Sequence, residues 1–286
     1  MDCVSDSEVT HQNLHPQTVE GFGQEWSAFD QTELPDRDYH QIFGEYFEIF
    51  PFDRLTADAE GFDLGCGSGR WAAGFAPRVG LLHCIDPAEQ ALSVAKRRLS
   101  RLPNVRFHLA ASDSIPLPDS SQDFGYSLGV LHHIPDTAKA IKDCVRKLKP
   151  GAPFLLYIYY NFENRPSWYR VLWGISDFVR RCISRLPFGL RRGLTDVIAT
   201  LVYLPLARLA LVLERLGVDV TYFPLSYYRR DSYYRMRTDA LDRFGTRLEN
   251  RFSKRQIEEM MESAGLEEIR FRDKFPNWIA CGLKRG

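Results

Sequence analysis

Cysteine is scarce and unpatterned in this chain. Six residues (Cys3, Cys66, Cys84, Cys144, Cys182, Cys281) are scattered over 286, with no C-x-x-C pair and no His/Cys ligand spacing. That excludes a disulfide framework and a structural zinc site, and it predicts a reduced, cytoplasmic protein with no metal. Net charge is missing too, because 37 basic and 37 acidic side chains cancel. A nucleic-acid-binding domain is usually basic as a whole, so no nucleic-acid partner is expected. The N-terminus is acidic and polar and has no apolar core of a signal sequence, which argues against secretion. The most apolar run, from Val197 to Leu213, contains Pro205 and Arg208 and falls just short of a membrane span. A buried cap helix is the first expectation for it, and an interfacial helix in peripheral contact with a membrane is the second. Lysine is absent from residues 161–250, which hold fifteen arginines against nine acids, while residues 1–60 hold fourteen acids against Arg37 and Arg54. The two segments therefore touch each other or face different partners.

What the chain does have is a glycine-threaded turn, Phe62-Asp63-Leu64-Gly65-Cys66-Gly67-Ser68-Gly69-Arg70. An apolar strand end runs into three glycines at every second position, and a helix starts at Trp71. Glycine tolerates positive φ and lets a ligand approach bare backbone, so the turn reads as a ligand cradle. Some twenty residues on, Leu81-Leu82-His83-Cys84-Ile85-Asp86 is an apolar strand ending in an acid, where an α/β sheet presents a carboxylate to ribose hydroxyls. The dinucleotide pattern G-x-G-x-x-G is not met, because the third glycine arrives one residue early; this counts against NAD.

Three further stretches follow in order: Ile115-Pro116-Leu117-Pro118-Asp119 with Gln122-Asp123-Phe124, then Leu131-His132-His133-Ile134-Pro135-Asp136, then Leu148-Lys149-Pro150-Gly151-Ala152. With the glycine turn they resemble the class I S-adenosylmethionine (SAM) methyltransferases, specifically the broad type 11, UbiE-like group, over residues from about 60 to 160. The resemblance implies an α/β, Rossmann-like seven-stranded sheet and SAM as cofactor, with S-adenosylhomocysteine as its product. It also implies a set of cofactor contacts. Gly65, Gly67 and Gly69 would pass the methionine moiety, with Asp63 reaching its amino group through water. Asp86 would hold the ribose diol or, in the plainer reading, cap the helix after Pro87. Cys66, Pro87 and Leu128 complete the lining. Relatives often carry Asp at the position of Ala111, so the adenine contacts are expected to pass to Ser112 and Asp113.

The chain divides into an N-terminal tail and cover helices (1–60), a SAM-binding core (61–160), a mostly helical Arg/Tyr-rich cap inserted after strand five (161–250) and a C-terminal helix and hairpin completing the core (251–286). Residues 1–20 read as a frayed tail. In the helix that follows, Trp26 or Phe29 packs on the core or closes over the cofactor. Strands are expected at 104–110, 124–130 and 153–160, Ser253 and Gln256 form a capping box, and residues 266–275 and 278–283 make a closing hairpin.

For the chemistry, His132 and His133 follow strand four on the rim where an acceptor sits, suited to act as a base; alternatively they only shape the pocket. Trp26, Tyr159, Tyr160, Tyr227, Tyr228 and Arg229 are candidate substrate contacts. The arginines of residues 227–239 either bind an anion or form a solvated face paired with the acidic N-terminal segment. The expected function is methyl transfer, preferably to oxygen, on a small or lipid-linked acceptor with anionic or sugar-like character. The alternatives are C-methylation of a quinone-like lipid at a membrane surface, and a non-catalytic SAM-binding assembly protein that docks a partner through the insertion.

Overall fold

The computed structural model describes residues 13–163, 165–272 and 278–286. Its frame is built of β1 (Glu60–Leu64), β2 (Leu81–Asp86), β3 (Val105–Leu109), β4 (Phe124–Leu128), β5 (Pro153–Ile158), β6 (Leu266–Phe271) and β7 (Trp278–Lys284), in the spatial order β3-β2-β1-β4-β5-β7-β6. The first five strands are parallel; β7 runs antiparallel between β5 and β6. β4 and β5 are buried at every position, as a parallel sheet covered on both faces requires, whereas edge strand β3 is partly exposed. The Rossmann-like reading is thus met. β4 and β5 stop two residues earlier than the apolar runs suggested, because Gly129 turns the chain at φ +80° and Tyr159 leaves the ladder.

The strands β1 and β4 interlock. Gly61 pairs with Phe124 and Phe62 with Gly125, so each ring lies over the neighbouring strand's glycine. A Cβ on Gly61 would fall 2.5 Å from Phe124 O, and one on Gly125 would fall 2.4 Å from Phe62 Cζ.

On one face lie α2 (Asp36–Tyr46) and α3 (Arg70–Phe75), over an aromatic core that includes Phe47, Phe50, Phe75 and Tyr126. On the other, α5 (Thr137–Lys147) and α10 (Lys254–Ser263) cover Leu64, Ile85, Leu156 and Met261. The expected capping box is present: Gln256 N–H donates to Ser253 Oγ at 3.1 Å, and Ser253 N–H to Gln256 Oε1 at 2.8 Å. Part of the expected hairpin, residues 273–277, lies outside the described residues.

The N-terminal reading needs correction. A helix, α1 (Pro16–Ala28), already starts within the supposed tail, with proline at its first position and the His15 ring accepting from Thr18 N–H; residues 1–12 lie outside the described set. α1 packs on α4 (Glu89–Arg98).

The cap consists of α6 (Ser167–Ile183), α7 (Phe188–Ile198), α8 (Leu204–Arg215) and α9 (Tyr233–Gly245). Pro205 does not break the apolar run. A π turn over Ala199–Tyr203 widens the backbone just before it and absorbs the lost hydrogen bond, so α7 and α8 form one helix from Phe188 to Arg215. Its mean hydropathy of 1.9 makes it long and apolar enough to cross a membrane, yet only 22% of that window is buried. This overturns both the shortfall in length and the expectation of a buried cap helix. The helix nonetheless stays fastened to the body. Arg191 donates to Gln24 Oε1 (2.8 Å) and Gly245 O (3.3 Å), and Arg208 to Arg229 O (2.8 Å) and Asp231 O (3.0 Å).

Acidic N-terminal groups meet the cap through neutral donors: Ser232 N–H donates to Asp38 and Tyr227 OH to Glu45. The cap's arginines find carboxylates inside the cap: Arg229 and Arg230 on Glu214, Arg235 on Asp231, Arg237 on Asp196, Arg243 on Glu249. A face paired with the N-terminal segment is not what the described residues form.

Replacing Gly125 by alanine forces the Phe62 ring out of its seat. The expected cost is about 1–3 kcal/mol, read as a lower urea midpoint with an unchanged slope.

Candidate active site

The donor side is assembled at the carboxyl ends of β1 and β2. Gly65 and Cys66 N–H both donate to Ile85 O, at 2.7 and 3.1 Å. Asp86 then bolts the turn in place, its Oδ2 accepting from Gly67 N–H (2.9 Å) and its Oδ1 from Ala88 N–H (2.8 Å). The helix-capping reading of Asp86 is therefore part of the truth, and its two bonds still leave acceptor sites on the carboxylate. Burial pushes its pKa up to about 6 against the lowering effect of those two N–H groups.

All three glycines are left-handed, with φ of +76°, +53° and +72°, but they serve different ends. A Cβ on Gly65 would strike Val130, and one on Gly67 would lie 2.8 Å from Trp26 Nε1. One on Gly69 would meet Leu99 and Ala95 of α4, so Gly69 serves helix packing and does not line the cavity.

A cavity of about 100 Å³ over this turn is lined by Gly65, Cys66, Gly67, Asp86, Pro87, Ser112 and Leu128, seven of the ten expected positions. Asp63 is buried beneath the turn and outside the lining, its carboxyl held well above the usual range by burial. Asp113 is turned toward the N-terminal segment and accepts from Asn13 N–H at 3.2 Å. The cavity suits SAM. A carboxylate with acceptor sites to spare faces it for a diol, the Ser68 and Ser112 hydroxyls on its wall are buried without a partner, and Pro87, Val130 and Ile134 offer apolar walls for a ring.

A second cavity, of about 600 Å³, opens beyond β4 and β5 under the cap. Trp26, Tyr159, Tyr160, Tyr227 and Tyr228 line it. Arg229 does not; its Nε and Nη2 donate to Glu214 Oε1 at 3.0 and 2.8 Å and its Nη1 to Ser226 O at 2.9 Å. Phe29 is likewise outside both linings and packs against Tyr234.

The two histidines separate. His132 is fully buried, stacked on Tyr159 at 3.9 Å between centroids, and outside both cavities; burial and the neighbouring His133 hold it neutral well below its usual pKa. It is no base in this arrangement. His133 shares a hydrogen bond with Leu248 O (2.7 Å) and lines the donor cavity, where burial also lowers its pKa.

Sequence reasoning missed Glu25, Asp239 and Asp242 on the second cavity. Glu25 is 4% exposed and its carboxyl makes no hydrogen bond among the described residues; burial, Asp242 and Asp239 raise its pKa well above the usual range. Asp242 accepts from Tyr159 OH at 2.5 Å. A signal existed: Glu25 shares the apolar face of α1 with Phe22 and Phe29, and Arg235, Asp239 and Asp242 recur at helical spacing along α9.

The fold and site define an α/β protein of the class I methyltransferase architecture. Residues 62–156 match the methyltransferase domain family model. The chain is 33% identical over 104 residues to an uncharacterized methyltransferase, YcgJ, of Bacillus subtilis, covering 36% of this chain and 41% of that one. It is 25% identical to a ubiquinone biosynthesis O-methyltransferase of Hydrogenovibrio crunogenus (54% and 64%), and 34% identical to a demethylmenaquinone methyltransferase of Staphylococcus aureus (31% and 38%). In each of the three the match spans less than two thirds of the relative's own length. A solved SAM-dependent methyltransferase from Methanosarcina mazei shares the fold, with a TM-score of 0.50, 17% identity, and coverage of 83% of this chain and 98% of that one. Residues 62–156 thus carry a methyltransferase domain, and the cavity over its glycine turn has the carboxylate, hydroxyls and apolar walls that would hold SAM.

Because an ionised Asp86 accepts from a diol more strongly than a protonated one, affinity for S-adenosylhomocysteine is expected to be level above pH 7. Below about pH 6 it should fall, by up to about tenfold per pH unit. Calorimetric titrations across pH 5–8 check this, with Asp86→Asn expected to flatten the profile.

Proposed function

We propose that the whole chain is a SAM-dependent O-methyltransferase, whose donor occupies the smaller cavity and whose ring-bearing acceptor occupies the larger. One observation carries the reading. Phe22, Trp26, Arg70, Leu128 and Gly129 line both cavities, so the two share a junction across which a methyl group can pass.

SAM supplies a methyl group on a sulfonium, transferred by in-line displacement, which leaves the protein to align the acceptor and take its proton. Asp86 would hold the donor, and the glycine turn, its Gly65, Cys66 and Gly67 amides tied to Ile85 O and Asp86, would form the wall it lies against. Tyr46, Tyr157, Tyr203, Tyr227 and Trp173 give the larger cavity ring-stacking walls. Of the five arginines on its wall, Arg235, Arg243 and Arg251 already hold Asp231 or Glu249, whereas Arg70 donates to Gln31 and Arg165 to Tyr160 and Thr221 O, which suits a sugar-like or phenolic ring and leaves Arg70 at the junction for an anionic part. In place of the histidines we assign the base to Glu25. Its carboxyl borders the cavity one residue from Trp26 and makes no hydrogen bond among the described residues, and burial beside Asp242 and Asp239 raises its pKa well above the usual carboxylate range, which makes it the more basic carboxylate a proton acceptor needs to be. The Tyr159–Asp242 pair positions the acceptor hydroxyl beside it.

C-methylation of a quinone-like lipid, the alternative, is favoured by the same aromatic walls but gives Glu25 less to do. Incubating the protein with methyl-labelled SAM and extracts of cells that encode it separates these readings. Labelled product from the wild type, cut about 10²-fold or more in Glu25→Gln with S-adenosylhomocysteine affinity unchanged, supports the base assignment. Undiminished labelling by Glu25→Gln removes it, and no product from the wild type beside a stoichiometric protein complex favours the assembly role.

A further inference from the structure

The structure puts its apolar surface in one place. Among the described residues seventeen large apolar side chains are exposed, and fifteen of them lie between Trp168 and Tyr222. They follow helical spacing. On α6 the outward positions are Trp168, Val171, Leu172, Ile175 and Phe178; along the α7–α8 helix they include Leu190, Leu194, Val197 and Leu201, then Leu209, Val212 and Leu216. Each stripe is the outer face of a helix whose inner face is already covered, α6 and α7 by α9 and α8 by the short turn at Ser226–Tyr228. An apolar surface this extended on a folded chain marks an interface.

Two features say what covers it. The first is where the larger cavity opens. Leu172, Ile175 and Val202 line that cavity and are also 42%, 61% and 44% exposed, so they form its rim, and the mouth opens in the middle of the apolar face. A second copy or a protein partner seated there would seal the mouth, whereas a lipid phase would deliver a dissolved acceptor to it. The second is charge. Arg185 just beyond α6, Arg215 at the end of α8 and Arg170 on α6 are exposed, and their side chains make no hydrogen bond or ion pair among the described residues. Arginines at the margins of an apolar stripe suit anionic headgroups, with their stems along the acyl boundary. The inward hydrogen bonds of Arg191 and Arg208 keep the long helix on the body, so it lies along a bilayer and does not cross it.

We propose that the outer face of α6, α7 and α8 docks on an anionic lipid bilayer, and that the acceptor enters the larger cavity from the lipid phase. The entry route, unlike the docking, rests on reading that cavity as the acceptor site.

The test is sucrose-gradient flotation of the full chain with phosphatidylcholine vesicles, with and without phosphatidylglycerol. Flotation is expected with the anionic vesicles, weaker with phosphatidylcholine alone, and reduced at least tenfold in Phe178→Asp/Leu201→Asp. Both side chains are exposed and line neither cavity, so S-adenosylhomocysteine affinity should be unchanged in that variant. Wild-type protein that stays at the bottom of both gradients, or a variant that floats as well as the wild type, overturns the proposal. So does a wild-type dimer seen by light scattering, lost in the variant and unmoved by vesicles, which would assign the face to a second copy. Intact S-adenosylhomocysteine binding with no flotation sinks the docking alone, and absent binding sinks the methyltransferase reading itself.

Discussion

One buried carboxylate organises the catalytic edge of this molecule. Asp86 sits at the end of β2 with a backbone N–H on each oxygen, one from the glycine turn and one from the start of α4. Burying a carboxylate against only two neutral donors is unfavourable, as its raised pKa records. The position makes sense if the remaining acceptor sites are completed by hydroxyl groups of a ligand. The same carboxylate that is incomplete alone fixes the turn on which the rest of the donor cavity is built. Binding and local order are therefore parts of one interaction, and the loop has little freedom to relax when the cavity is filled or emptied.

The cap obeys a different rule. Five of its carboxylates, Asp177, Asp196, Glu214, Asp231 and Glu249, each hold one or two arginines. Eight tyrosines and two tryptophans shape the walls of the larger cavity. Buried pairs of this kind contribute little net stability against apolar substitutes, but breaking one strands its partner. They set the position of α9, and through it the position of Asp242 beside Tyr159.

The central sheet was legible because its signals are local. Apolar runs closed by glycine or acid at regular intervals allow few arrangements other than parallel strands with a site at their carboxyl ends, and seven of the ten cofactor positions meet in one cavity for that reason. The three that do not, Asp63, Gly69 and Asp113, show where spacing runs out. Gly69 carries the same left-handed backbone as Gly67 but faces α4, and only the packing of that helix reveals it. His132 and Arg229 look reactive as letters, yet each is spoken for by a contact distant in sequence or on another helix, Tyr159 for one and Glu214 for the other. Glu25 was passed over for the converse reason: in a chain segment rich in acids, one more carries no signal until it is found buried beside Asp239 and Asp242. The apolar run of residues 197–213 was recognised, but which side of it faces water depends on α9, some thirty residues away.

The reciprocal seating of Phe62 and Phe124 on opposing glycines has a consequence beyond stability. β1 delivers the turn that grips the donor, and β4 delivers Leu128 and Gly129 at the boundary with the acceptor. A slip of one residue between these neighbours would drive a benzyl group through a peptide plane, so their relative height is indexed like the teeth of a ratchet. The span over which a carbon atom must be handed from one molecule to the other is thereby calibrated in the middle of the sheet, far from either reactant, and the loops above inherit it.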